Sequence, residues 1–262
     1  MSRHLLTAVA LAVILFLVAP LIAIVPLSFS AGTFLSFPLP GLSLRWYETV
    51  FQSDQWRLAV ANSFIIAGAT TLLATALGTV AALGLTGKRF PGHSVVMALL
   101  LSPMIVPVII TAVGTFFFFS TLGLANSLPG LIIAHTVLAI PFVVITVTAT
   151  LSGYDQSLSR AASSLGANPV IVFRRVTLPI ILPGVVSGGL FAFATSFDEV
   201  VVALFLAGPD QRTLPRQMFS GVRENISPAM AAVATLLILL SVALMATMEW
   251  LRRRSEKLTK KE

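Results

Sequence analysis

The chain has 262 residues, 56% of them apolar and only 10% charged, with a mean hydropathy of +0.95. Soluble globular domains carry roughly 25% charged residues, so this composition belongs in lipid rather than in water. Lys and Arg (17) outnumber Asp and Glu (10); nucleic acid is one explanation, but the distribution described below fits a membrane surface better. The absence of cysteine excludes disulfides, thiolate metal sites and a cysteine nucleophile, and is neutral about compartment. His4, His93 and His135 lie far apart and form no H-x-x-x-H ligand pattern.

Crossing the hydrocarbon core takes about 20 apolar residues. Six runs qualify, at about 5–29, 59–85, 94–119, 130–151, 180–206 and 228–251, within one all-α membrane domain over 1–262. The first run has a rival reading as a cleaved signal, because Ser28-Phe29-Ser30 imitates a small-x-small site. A signal's apolar region is only about 7–15 residues long, so a retained span is expected. Pro20, Pro26, Pro103, Pro107 and Pro141 fall inside these runs and are expected to mark kinks, with neighbouring helices satisfying the freed backbone.

Six crossings put both termini on one side. With the N-terminus inside, the inner segments hold Arg3, Lys88, Arg89, Arg160, Arg174, Arg175, Arg252, Arg253, Arg254, Lys257, Lys260 and Lys261, leaving Arg45, Arg57, Arg212, Arg216 and Arg223 outside. That bias predicts cytoplasmic termini. The tail RRRSEKLTKK then reads as an anchor near anionic headgroups, and nucleic acid is not an expected partner.

The inner loop 152–179 interrupts the oily pattern with small, basic and proline-punctuated residues, as in RAASSLGANPVIVFRRVTLP. Leu158, Ala161, Ala162 and Leu165 recur at i, i+3, i+4 and i+7, which draws one apolar stripe along a short helix over 157–165. Gly166 offers a left-handed stop. Asn168-Pro169 restarts a helix, with Asn as N-cap and Pro at its first position. Leu178-Pro179 is expected to end that element. So short a helix is marginal in water, and a docking partner is expected to hold it.

These residues resemble the EAA loop of permease subunits of binding-protein-dependent (type I, MetI-like) ABC importers. That motif reads Glu-Ala-Ala, three residues, Gly, nine residues, Ile-x-Leu-Pro; here Ala161-Ala162, Gly166, Val176 and Leu178-Pro179 fit without a gap, between the fourth and fifth of six spans. Arg160 stands at the usual Glu and Val176 at the usual Ile. The resemblance implies a MetI-like fold of six transmembrane helices in a bacterial inner membrane. It also implies that Arg160, Ala161, Ala162, Leu165, Gly166, Leu178 and Pro179 belong to a coupling helix seated on a dimeric cytoplasmic ATPase. ATP and Mg would be bound there, with no cofactor in this chain. GLTGKRF (84–90) is no phosphate-binding loop, because Ala82 and Arg89 stand where Gly and Ser or Thr are needed. A second six-span permease and a periplasmic solute-binding protein complete the implied assembly.

The fifth run contains ATSFDEVVVALFL (194–206). A charge at the bilayer centre costs roughly 2.5–3.5 kcal/mol on insertion scales, so such residues face a watery path, a partner or the interface. Ser196, Phe197, Asp198 and Glu199 are the path candidates. Asp198 is favoured for the path and Glu199 for a neighbouring helix or second subunit, since adjacent helical residues point about 100° apart. SFDEVVVALFLAGP with TLPRQMFSGVRENISP (213–228) resembles the spermidine/putrescine branch of these permeases; permeases for 4-aminobutyrate, opines and amino acids look similar. Arg212, Arg216 and Arg223, in the outer segment, are candidates for docking the binding protein. Trp46, Tyr47 and Trp56 read as interfacial aromatics, Phe116–Phe119 as lipid- or subunit-facing, and His135 as a hydrogen-bonded core residue.

Two rival classes remain. A stand-alone secondary transporter or channel predicts inverted repeats and helices broken at the midplane, and the halves show no convincing self-similarity. An intramembrane enzyme needs a nucleophile or metal cluster, and the chain has neither H-E-x-x-H nor G-x-S-x-G.

Overall fold

The computed structural model describes residues 3–87, 90–224 and 227–259. Lys88, Arg89, Lys260 and Lys261, counted above, lie outside them. Among the described residues the chain is helical apart from loops and one isolated bridge, Ser30 to Leu42. Its internal contacts divide it into two compact units: residues 1–57 with 217–254, and residues 58–216 with 255–262.

The first unit holds α1 (Arg3–Ser28), a loop, the short amphipathic α2 (Arg45–Gln52) and most of the last helix, α12 (Pro228–Thr259). Pro20 and Pro26 lie inside α1 without ending it. The second unit is built around α6 (Leu128–Leu151), flanked by α3 (Asp54–Gly87) and α9 (Leu178–Asp198). Ser127 starts α6 by accepting the Gly130 N–H, with Pro129 in the first turn, the usual way to satisfy a helix's orphan donors. Alanine, valine and glycine dominate the seams. Ala74, Ala82, Ala139, Val143, Ile181 and Ala192 are all fully buried between the three helices. A Cβ on Gly188 would stand 2.5 Å from Thr146 Oγ1 and 3.0 Å from Val143 Cα. Small residues at this spacing let membrane helices approach closely.

Among the described residues five helices are long and apolar enough to cross a membrane: 4–28, 54–87, 128–151, 169–198 and 228–247. The remaining crossing, expected as one run over 94–119, is two helices. These are α4 (His93–Ile105) and α5 (Val108–Thr121), bent by 104°. Pro107 explains the break: it lacks an N–H and biases the preceding residue to extended backbone, and Val106 has φ −71° and ψ 132°. Pro103, Pro141 and Pro183 sit inside helices that continue past them. The run Phe116–Phe119 divides, with Phe117 and Phe118 exposed and Phe119 buried against α6 and the short helix α10 (Val201–Leu206).

Candidate functional site: the hairpin, the fifth span and its acidic end

The loop after α6 folds as its residues dictate. Asp155 caps α7 (Gln156–Ser164), with Oδ1 accepting the Ser157 N–H at 2.8 Å and Oδ2 the Ser157 hydroxyl at 2.6 Å. Those two bonds hold its carboxyl below the usual carboxylate range. Gly166, at φ +85°, closes the helix. The Ala167 N–H reaches the Ala162 carbonyl and the Gly166 N–H the Ser163 carbonyl, the paired bonds of a Schellman ending. Asn168 then caps α8 (Pro169–Val172), its side chain accepting the Ile171 N–H at 2.9 Å.

The expected stop at Leu178-Pro179 is absent. A π-helical turn, Phe173–Thr177, carries α8 straight into α9. Within it the Leu178 N–H bonds to the Phe173 carbonyl, and this wider turn gives Pro179 room where an α-helical carbonyl would clash with its ring. The second arm of the hairpin and the fifth span are one helical run of 30 residues, 169–198.

Among the described residues the apolar stripe on α7 is largely uncovered. Leu158 is 45% exposed and Leu165 89%, Arg160 and Ala161 are exposed and Ala162 half-buried. What fixes the hairpin is polar. Tyr154 Oη shares a 2.5 Å hydrogen bond with Ser159 Oγ on α7 and lies 3.3 Å from Thr177 Oγ1 in the π turn, while its ring packs on the core of α3, α6 and α9. Sequence alone does not reveal this tyrosine, because its partners lie 5 and 23 residues away.

Of the four path candidates the structure sets only Asp198 on an open face. Ile180, Pro183, Ser187, Phe191, Ala194 and Asp198 form one exposed stripe down α9, with Phe191 stacked on Phe142 of α6. Asp198 ends the helix and makes no hydrogen bond or ion pair among the described residues. Ser196 is buried and shares a 2.9 Å hydrogen bond with His135 Nδ1 on α6, which confirms the histidine as a bonded core residue. Phe197 packs against Phe193 and Phe64. Glu199 departs most from expectation. The helix breaks there, at φ −72° and ψ 114°, and its Oε1 accepts the Val202 N–H at 2.9 Å. Its carboxylate thus serves one of the orphan donors at the start of α10.

Beyond α10 the loop 207–213 is tied down by Asn62 and Ser63, which the sequence did not single out, and by Arg216. Asn62 donates to the carbonyls of Asp210 and Arg212 at 2.8 and 3.1 Å, and Ser63 Oγ accepts the Leu214 N–H at 2.7 Å. Arg216 donates to the carbonyls of Ala207 and Gly208 at 2.7 and 2.8 Å. Burial first, then the Arg212 charge, lowers its guanidinium pKa. Arg212 is half-buried. Arg223, on α11 (Leu214–Glu224), is exposed and lies 5.9 Å from the Phe219 ring centre.

With this geometry in place, the model of the family described as "Binding-protein-dependent transport system inner membrane component" matches residues 74–257. The chain belongs to this family. It is the permease subunit of an ABC importer and a multi-pass inner-membrane protein. The spermidine/putrescine transport system permease PotC of Haemophilus influenzae is 35% identical over 97% of this chain and 99% of its own length. The putrescine transport system permease PotI of Escherichia coli is 35% identical over 92% and 88%. The molybdenum transport system permease ModB of Mycobacterium bovis is 32% identical over 80% and 86%. Among solved structures, a bacterial ABC transporter that imports the acidic polysaccharide alginate superposes with a TM-score of 0.73 at 17% identity, covering 97% of this chain and 98% of that one. At that identity it speaks for the fold.

Proposed function

We propose that this permease forms half of the translocation path for a small amine-bearing cation such as putrescine or spermidine. Its termini would be cytoplasmic, and its hairpin would seat on a separate ATPase dimer that binds ATP and Mg. A second six-span permease would complete the path and a periplasmic binding protein would deliver the solute. The observation carrying this reading is the largely uncovered α7 stripe, one turn before an unbroken helix whose far end presents a carboxylate without a partner among the described residues. Arg160, Ala161, Ala162, Leu165, Gly166, Leu178 and Pro179 belong to the seat, Asp198 to the path, and Arg212 and Arg223 to the docking face; Arg216 supports that face by holding its loop. The polyamine names of PotC and PotI support the solute class. ModB is named for molybdenum at similar identity, so overall likeness is a weak guide, and the weight falls on Asp198.

The chain has no cysteine, so Ala162→Cys is a unique handle. In membranes expressing the whole transport system, a short bifunctional crosslinker at 162 should capture an ATP-hydrolysing protein. Failure to capture one, or solute movement by the purified chain alone, would overturn the reading.

A further inference from the structure

The loop joining α1 to α2 is unusual. From Leu5 to Leu44 the sequence holds no Asp, Glu, Lys or Arg, yet α1 ends at Ser28. The uncharged stretch therefore outlasts the helix that needs it by the whole of 29–44. Four large side chains in it stand free: Phe34 is 73% exposed, Phe37 79%, Leu42 78% and Leu44 59%.

The loop is nevertheless built. The Ala31 N–H bonds to the Gly41 carbonyl at 3.0 Å and the Ser43 N–H to the Phe29 carbonyl at 2.7 Å. Trp46 Nε1 donates to the Gly32 carbonyl and Arg45 Nη1 to the Ala31 carbonyl, each at 3.1 Å. The Arg45 guanidinium lies 4.4 Å from the Trp46 ring centre, and Ser28 bonds to the Tyr47 hydroxyl at 2.7 Å. The polar atoms at its two ends are turned inward and paired, while Phe34, Phe37, Leu42 and Leu44 are turned outward together with Thr33 and Ser36. Large apolar side chains thus dominate the outer face of a loop that its ends hold in place.

We infer that residues 29–44 form an apolar knuckle that beds into the headgroup–acyl boundary of the bilayer at the Ser28 end of α1. The occupant is lipid because the knuckle continues, without an intervening charge, from a helix whose most apolar stretch is wholly unburied within the chain. Charge returns only at Arg45, beside Trp46 and Tyr47, the residue types that favour the headgroup level. Apolar segments of this kind sink by about 5–10 Å into that boundary. The knuckle would fix the depth of α1 and hold α2 along the surface. This inference depends on membrane embedding alone and not on the solute, the ATPase or the sidedness of the termini.

The test uses the assembled importer in lipid nanodiscs, with a nitroxide on a single cysteine at Phe34→Cys, Phe37→Cys or Leu42→Cys and a reference at the exposed Gln52→Cys. Relative to position 52, collisions with dissolved oxygen should rise and collisions with a water-soluble nickel chelate should be lost at all three sites. Chelate access equal to that at 52 would place the knuckle in water. Loss of both collisions would place it against another protein, the second permease or the binding protein. Either result overturns the proposal. If labelling perturbs the loop, Trp46 fluorescence in a Trp56→Phe, Trp250→Phe chain gives a second reading, and failure of brominated acyl chains to quench it also overturns the proposal.

Discussion

Gly188 allows a quantitative test of how closely α6 and α9 approach. An alanine Cβ there meets Thr146 Oγ1 at 2.5 Å and Val143 Cα at 3.0 Å. The first neighbour is a side-chain end, but the second is backbone and cannot rotate away, so the helices must separate. Overpacking of this kind costs about 1–3 kcal/mol. Gly68, on α3, supplies the control: a Cβ there meets nothing within 4 Å, and Gly→Ala at an open helical site gains up to about 1 kcal/mol. The propensity gain is common to both sites, so Gly188→Ala should fall about 1–3 kcal/mol below Gly68→Ala in unfolding by SDS titration of the purified chain in mixed micelles. Adding Thr146→Ala should recover only part of the loss, because the Val143 contact remains. Equal stability of the two single variants, or full rescue by Thr146→Ala, would show that the seam is looser than described.

Two further substitutions probe transmission and path. Tyr154→Phe removes the hydroxyl that touches Ser159 and Thr177, a loss of about 0.5–1.5 kcal/mol per neutral bond. ATP turnover should persist while solute moved per ATP falls, and an unchanged ratio of uptake to phosphate release would deny the tyrosine a linking role. Asp198→Asn should lower uptake of a labelled diamine with little effect on assembly in the membrane; unaltered uptake kinetics would remove Asp198 from the path.

Much of the fold is legible because its signals are local. Gly166 and Asn168-Pro169 each act within a few residues of themselves, so the inner turn of the hairpin can be read from the chain. The apolar runs likewise locate the crossings. What escapes the sequence depends on partners far along it. Pro107 and Pro141 look alike in sequence, yet only the first breaks its helix; Pro141 is fully buried, within a helix packed on both sides. Glu199 reads as pointing to a neighbouring helix or a second subunit, and only the break at its own backbone shows that its partner is the nearby Val202 amide of α10. Ser196 lies in the same acidic stretch, but the face it occupies is set by His135, 61 residues away. Asn62 and Ser63 support a loop about 150 residues further on, a pairing without any local signature.

The absent stop at Pro179 changes the mechanics more than any other departure. Because the π turn keeps the run intact, 169–198 is a rod of 30 residues, about 45 Å long at 1.5 Å per residue, and longer than the hydrocarbon core of about 30 Å. Its tightest approach to α6 is at its middle, where a Cβ on Gly184 would strike Thr150 and lie 3.0 Å from the Thr146 carbonyl oxygen. One end carries the hairpin and the other Asp198, each about 22 Å from that contact. A tilt of about 10° about the glycine seam would move both ends by about 4 Å in opposite directions. On the proposed function, a push at the hairpin would reach the carboxylate as a swing of one helix, with no chain of rearranged side chains between them.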